Sequence, residues 1–120
     1  MQPVITLCGS TKFKEEFLSV AKQLGEQGDL VISVTTFTHA DDIPTSSETK
    51  AMLDAIHMQK IMMSSGIYVV NKDGYIGEST MREIAFAGVM DKTIYFHESP
   101  SKPVATMLDT LGAEYELAEL

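Results

Sequence analysis

Two short stretches of the chain hold most of its capacity for chemistry. In Gly74-Tyr75-Ile76-Gly77-Glu78-Ser79-Thr80-Met81-Arg82-Glu83, two glycines bracket a turn, hydroxyls stand where a helix should open, and a carboxylate follows. The first amide groups of a helix have no internal partner and carry the positive end of its dipole, so they suit a ribose or a phosphate. Thr80 to Glu83 also fits a capping box, and on spacing alone that is the stronger reading of Glu83. The two roles are compatible, because a carboxylate in a helix's first turn is stabilised as the anion. An ionised carboxylate can attack the anomeric carbon of a sugar and split a displacement into two steps through a covalent glycosyl-enzyme. The departing base then needs a proton from another group.

The second stretch, Gly9-Ser10-Thr11-Lys12, joins a strand to a helix. Its amides and Lys12 could hold an anion, or it is a plain turn with a Ser/Thr cap; neither a full P-loop nor a GxGxxG pattern is present. His57 and Lys60 share a helical face, which either turns a proton donor and a cation toward the site or leaves both in solvent. Asp73 is a candidate acid or base, although an aspartate in the turn Asn71-Lys72-Asp73-Gly74 is more often structural. Tyr75 could stack on a base or simply pack. Cys8 ends an apolar run and reads as a buried strand residue without chemistry, and as the single cysteine it forms no internal disulfide. His39, His57 and His97 show no metal-ligand spacing, so neither a metal nor a cofactor is expected.

These residues need a scaffold, and apolar periodicity supplies one. Val4 to Cys8, Leu30 to Val34, Ile67 to Val70, Thr93 to Phe96 and a weaker Glu114 to Leu117 read as strands. Helical spacing runs through Phe13, Phe17, Val20, Ala21 and Leu24. It recurs from Glu48 to about Ser65, with Met52, Leu53, Ile56, Ile61 and Met63 aimed at a core, and then through Met81, Ile84, Ala85, Gly88 and Val89. A last helix covers Lys102 to Leu111, beginning near Pro103. Strands alternating with helices predict an α/β fold: a flavodoxin/Rossmann-like three-layer sandwich with a parallel sheet in the order 2-1-3-4-5. Ligands of such sheets bind beyond the carboxyl ends of the strands where the order reverses, here between strands one and three. The polar loop from Thr35 to Ser47 is expected to lie over that crevice.

Residues 1–120 fit one domain, with a core large enough to fold. Nine basic against seventeen acidic residues give a net charge of −8, which opposes binding to a phosphate backbone, so no nucleic acid is expected. No apolar run approaches the length of a membrane span and no leader pattern is seen, so a cytoplasmic protein without membrane contact is expected. Met58, Met62 and Met63 exceed what one helix stripe needs and predict a second buried face, as in a helix-mediated dimer.

Leu7-Cys8-Gly9-Ser10, Ile56-His57-Met58-Gln59-Lys60-Ile61 and the run from Gly74 to Ala87 together resemble the nucleoside 2-deoxyribosyltransferase-like superfamily. The resemblance spans about Val4 to Glu98. It is nearest to small bacterial and phage members and more distant from the deoxynucleoside 5′-monophosphate N-glycosidases. It implies that Glu83, in Glu-Ile-Ala-Phe-Ala, is the nucleophile of N-glycosidic bond cleavage or transfer on a nucleoside or its 5′-monophosphate. It further implies that the Gly9-Ser10 turn and the Gly77 to Thr80 helix start hold the deoxyribose and any 5′-phosphate, often in homo-oligomers; Thr11, His57, Tyr75 and Asp73 are added as candidates on the residue grounds given above. Where characterised members place an aspartate for the leaving base, on the helix before strand three, this chain has Lys60. A nucleotide-binding module without efficient catalysis is the alternative.

Overall fold

Five parallel strands in the order β2-β1-β3-β4-β5 form the middle layer of a three-layer α/β sandwich. The computed structural model describes residues 2–120. The strands are β1 (Val4–Gly9), β2 (Leu30–Ile32), β3 (Gly66–Val70), β4 (Thr93–Phe96) and β5 (Tyr115–Leu117). The helices between them are α1 (Lys14–Glu26), α2 (Ser47–Met62), α3 (Glu78–Val89) and α4 (Lys102–Leu111).

Successive side chains of a strand point to opposite faces, and the core divides accordingly. Ile5, Leu7, Tyr68 and Val70 meet Phe17, Val20 and Leu24 of α1 on one face. Cys8, Ile67, Val69, Ile94 and Phe96 meet Ile61 of α2, Ile84 and Ala87 of α3, and Val104 and Leu108 of α4 on the other. One helix therefore covers one face and three cover the second. Gly88 lets α3 approach the end of α4: a Cβ there would stand 3.2 Å from that of Ala113. Pro103 begins α4 and Gly112, at φ 68°, ends it in the left-handed conformation that costs glycine least.

The structure shortens two of the predicted elements, β2 and α2, and re-aims α2. β2 stops at Ile32, because the next backbone carbonyl, that of Ser33, accepts from Lys60 Nζ at 2.9 Å. α2 begins at Ser47, its first amides capped by Ser46 accepting from the Thr49 N–H at 3.1 Å, and ends at Met62. Its inward side is His57 and Ile61, one turn apart, with Met58 packed beside them. Met52, Ile56 and Met63, expected in a core, are exposed. No described helix is long and apolar enough to cross a membrane.

Candidate functional site

The chain leaves β1 toward α1 on one face of the sheet and leaves neighbouring β3 toward α3 on the other. These diverging connections open a crevice at the carboxyl ends of the strands. It is a cleft of about 590 Å³, bounded by Gly9 to Thr11, the inner side of α2 and the start of α3, with the loop after β2 contributing Thr36, Thr38, His39 and Ile43. Thr11 fastens that loop, its Oγ1 meeting Thr38 Oγ1 at 3.3 Å and accepting from the His39 N–H at 3.1 Å. Lys14 adds an ion pair to Asp41 at 2.9 Å.

The floor of the cleft is His57 from α2 and Glu83 from α3, with Cys8 from β1 directly behind them, all buried. Cys8 Sγ lies 3.6 Å from His57 Nε2, which lies 3.9 Å from Glu83 Oε1. Burial lowers the His57 pKa to about 4, helped by the charge of Lys60. The imidazole is thus neutral at pH 7, and its approach to Glu83 is a contact, not an ion pair. Burial pushes Glu83 the other way, to about 7, opposed by a hydrogen bond with the Cys8 thiol. Cys8 itself is raised well above the usual thiol range by burial and by the Glu83 carboxylate. The floor therefore holds a carboxyl poised near neutrality beside a neutral imidazole, with a thiol behind them.

The rim is charged and wetter. Lys50 Nζ reaches Asp54 Oδ2 at 2.9 Å and Ser79 Oγ at 3.0 Å, and Arg82 lies 3.3 Å from Ser79 Oγ and 4.0 Å from Asp54. Lys60 Nζ is bound to the Ser33 carbonyl and, at 3.2 Å, to Thr35 Oγ1. Among the lining residues Lys50, Lys60 and Arg82 balance Asp54, Glu78 and Glu83, whereas the whole chain carries −8. The cleft is less repulsive to an anion than the surface around it.

Gly9, Ser10, Thr11, His57, Tyr75, Gly77, Ser79, Thr80 and Glu83 all line the cleft. The capping box does not form: α3 starts at Glu78 behind Gly77, whose position lacks any side-chain cap, and Glu83 sits more than a turn inside the helix, facing inward. Nor do Ser10 or Thr11 cap α1, which begins at Lys14 behind Phe13. Glycine at position 9 has a packing cause as well, since at φ 149° a Cβ would meet the Val70 carbonyl oxygen at 2.7 Å. Lys12 lies 3.4 Å from the centre of the Tyr75 ring and is not among the lining residues.

Asp73 also stands outside the lining. It occupies a left-handed position, φ 56°, in the 3-10 turn Lys72–Gly74, and its N–H donates to Glu98 Oε2 at 2.7 Å. Asn71 and the Glu98 backbone bond reciprocally at 2.9 and 2.8 Å, so this turn is framed between the ends of β3 and β4. Three participants were not expected from sequence: Lys50 and Asp54 at the rim and Cys8 behind the floor. Asp54 stands one turn from both Lys50 and His57, so extending the i, i+3, i+4 face of α2 would have found Asp54 and then Lys50. Cys8 carried no such signal, since its neighbours come from distant segments.

A second hollow, about 500 Å³, lies at the other end of β1 between Pro3, Asp29 and Tyr95 and contains none of these residues. The cleft of a doubly wound α/β domain is thus the candidate site. No family model matches the sequence, and no curated protein matches it either.

Proposed function

We propose that the protein cleaves or transfers the N-glycosidic bond of a nucleoside or its 5′-monophosphate, with Glu83 as nucleophile, as its likeness to the nucleoside 2-deoxyribosyltransferase-like superfamily suggests. The observation that carries this reading is a buried carboxyl facing a nucleotide-sized cleft at the switch point of the sheet. Its displaced pKa, about 7, supports it. The ionised Glu83 attacks C1′, the C1′–N bond breaks, and the base leaves with the bonding electrons and takes up a proton. Water or a second base then attacks C1′ and releases Glu83.

Ser10 and Thr11 serve the sugar in this reading, and Ser79, Thr80 and the amides at the start of α3 serve the sugar or a 5′-phosphate, with Lys50 and Arg82 supplying charge. Neutral His57 packs beside Glu83, its Nε2 3.9 Å from Oε1, and shapes the floor around the carboxyl. Asp54, another carboxyl of the cleft, replaces Asp73 as the group that assists the departing base. Incubation with a panel of nucleosides and their monophosphates should release free base, detected by mass spectrometry. Inactivity of the wild-type chain across the panel overturns the proposal.

Lys60 favours a second reading, a nucleotide-binding module without turnover, because its Nζ is tied to Ser33 and Thr35 and the position offers no carboxyl to exchange a proton with the base. Calorimetric binding of a nucleotide that stays intact would select it. A dimer through α2 belongs to the same proposal, supported by exposed Met52, Met62 and Met63. Met63→Glu should then halve the mass measured by light scattering, and an unchanged mass would exclude that helix as the interface.

A further inference from the structure

Cys8, His57 and Glu83 carry a second capacity that does not depend on sugar chemistry and that histidine spacing gave no sign of. Three separate elements bring them together, and one ligand atom of each lies within 4.8 Å of the other two. Their exposures are 0%, 6% and 7%, so these donors are held by packing. Thiolate, imidazole and carboxylate are the donor types of zinc sites. Around a tetrahedral zinc ion, ordinary bond lengths put sulfur and nitrogen about 3.6 Å apart, and nitrogen and oxygen about 3.3 Å apart. Sγ to Nε2 is 3.6 Å, and Nε2 to Oε1 is 3.9 Å. The first separation already suits an ion, and the second closes with a movement of roughly half an ångström.

We propose that these three side chains form a binding site for a borderline-soft divalent cation of the zinc class. Cys8 is at the back, while His57 and Glu83 face the cleft and leave a fourth position open to water or a ligand. Sulfur and nitrogen donors select zinc-class ions over magnesium or calcium. Binding replaces the Cys8 S–H bond with a sulfur–metal bond and releases that proton to solvent, as it does any proton on Glu83; no electron is transferred. If Glu83 also serves as nucleophile, a bound ion occupies its lone pairs and inhibits glycosyl transfer, and removing the ion restores it.

Cobalt(II) titration of the full, chelator-treated chain is the test, with absorbance as the readout. Because Cys8 is the only cysteine, a thiolate-to-cobalt charge-transfer band can arise only at this site. The expected result is that band together with the intense visible bands of four-coordinate cobalt, both saturating at one equivalent and both bleached by zinc. Cys8→Ser should lose the charge-transfer band, and His57→Ala should weaken binding by at least about tenfold. Absence of the band from the folded wild-type chain overturns the proposal, whether cobalt fails to bind or binds elsewhere. The wild-type spectrum decides the matter even if a variant fails to fold, and it is independent of whether any nucleoside is cleaved.

Discussion

The floor and rim of one cleft treat charge in opposite ways. At the rim, Lys50 and Arg82 both pair with Asp54, while Lys50, Asp54 and Arg82 keep side-chain exposures of 56%, 35% and 58%. Such pairs are screened, and each contributes at most about 1 kcal/mol to folding. On the floor, Glu83 and His57 are under one-tenth exposed, with pKa values displaced to about 7 and about 4. Burial acts on both by disfavouring the charged form, which raises an acid and lowers a base. A desolvated carboxyl, displaced to about 7, therefore sits beneath solvent-exposed charged groups that pair across the rim.

The contrast is broken most sharply at Glu83. If it is the nucleophile, Glu83→Ala should reduce base release by on the order of 10⁴-fold while the variant still binds nucleotide; retained turnover would remove the floor from the chemistry.

Stability provides the next test. The folded-state pKa of Glu83 is raised from 4.5 to about 7, so the folded protein binds the extra proton, and stability falls as pH rises between those values. Glu83→Gln should escape that loss. Its advantage over wild type, absent below about pH 4.5, should approach roughly 3 kcal/mol above pH 7 in denaturant titrations. Equal pH dependence of the two proteins would mean that Glu83 is not desolvated.

A smaller effect is expected at Cys8, whose thiol hydrogen bond holds the Glu83 pKa down. Cys8→Ala should move the rising limb of the kcat/KM profile about one pH unit higher, and Cys8→Ser should restore much of it. The rim should respond least. Lys50→Ala is expected to raise KM for a 5′-monophosphate about three- to tenfold, with kcat within about twofold, and to change stability by under about 0.5 kcal/mol. Loss of that KM effect at high salt would match its exposed setting.

The order of strands and helices was legible in the chain because it depends on local periodicity. Val4 to Cys8 and Ile67 to Val70 are apolar enough to be central strands, and a parallel sheet with right-handed crossovers then follows almost without alternatives. From that topology came the crevice between β1 and β3 and the two segments that border it. The start of α3 was less legible. Thr80 to Glu83 has the spacing of a capping box, which needs Thr80 outside the helix as its N-cap. The helix opens earlier, with Gly77 in that position, so Ser79 and Thr80 already lie within α3 and Glu83 is free to face the cleft. Spacing describes which side chains could reach a helix end, whereas the position of that end is set by how the turn after β3 docks.

What sequence alone determined was the fold and the position of the cleft between β1 and β3, both consequences of patterns a few residues long. Only tertiary structure decided which side chains meet there. Cys8, His57 and Glu83 are separated by 49 and 26 positions, and packing of β1, α2 and α3 on one another brings them together. The same packing removes water from them, and that desolvation, which no spacing encodes, displaces Glu83 to about 7 and makes Gly74 to Glu83 more than a glycine turn running into a helix.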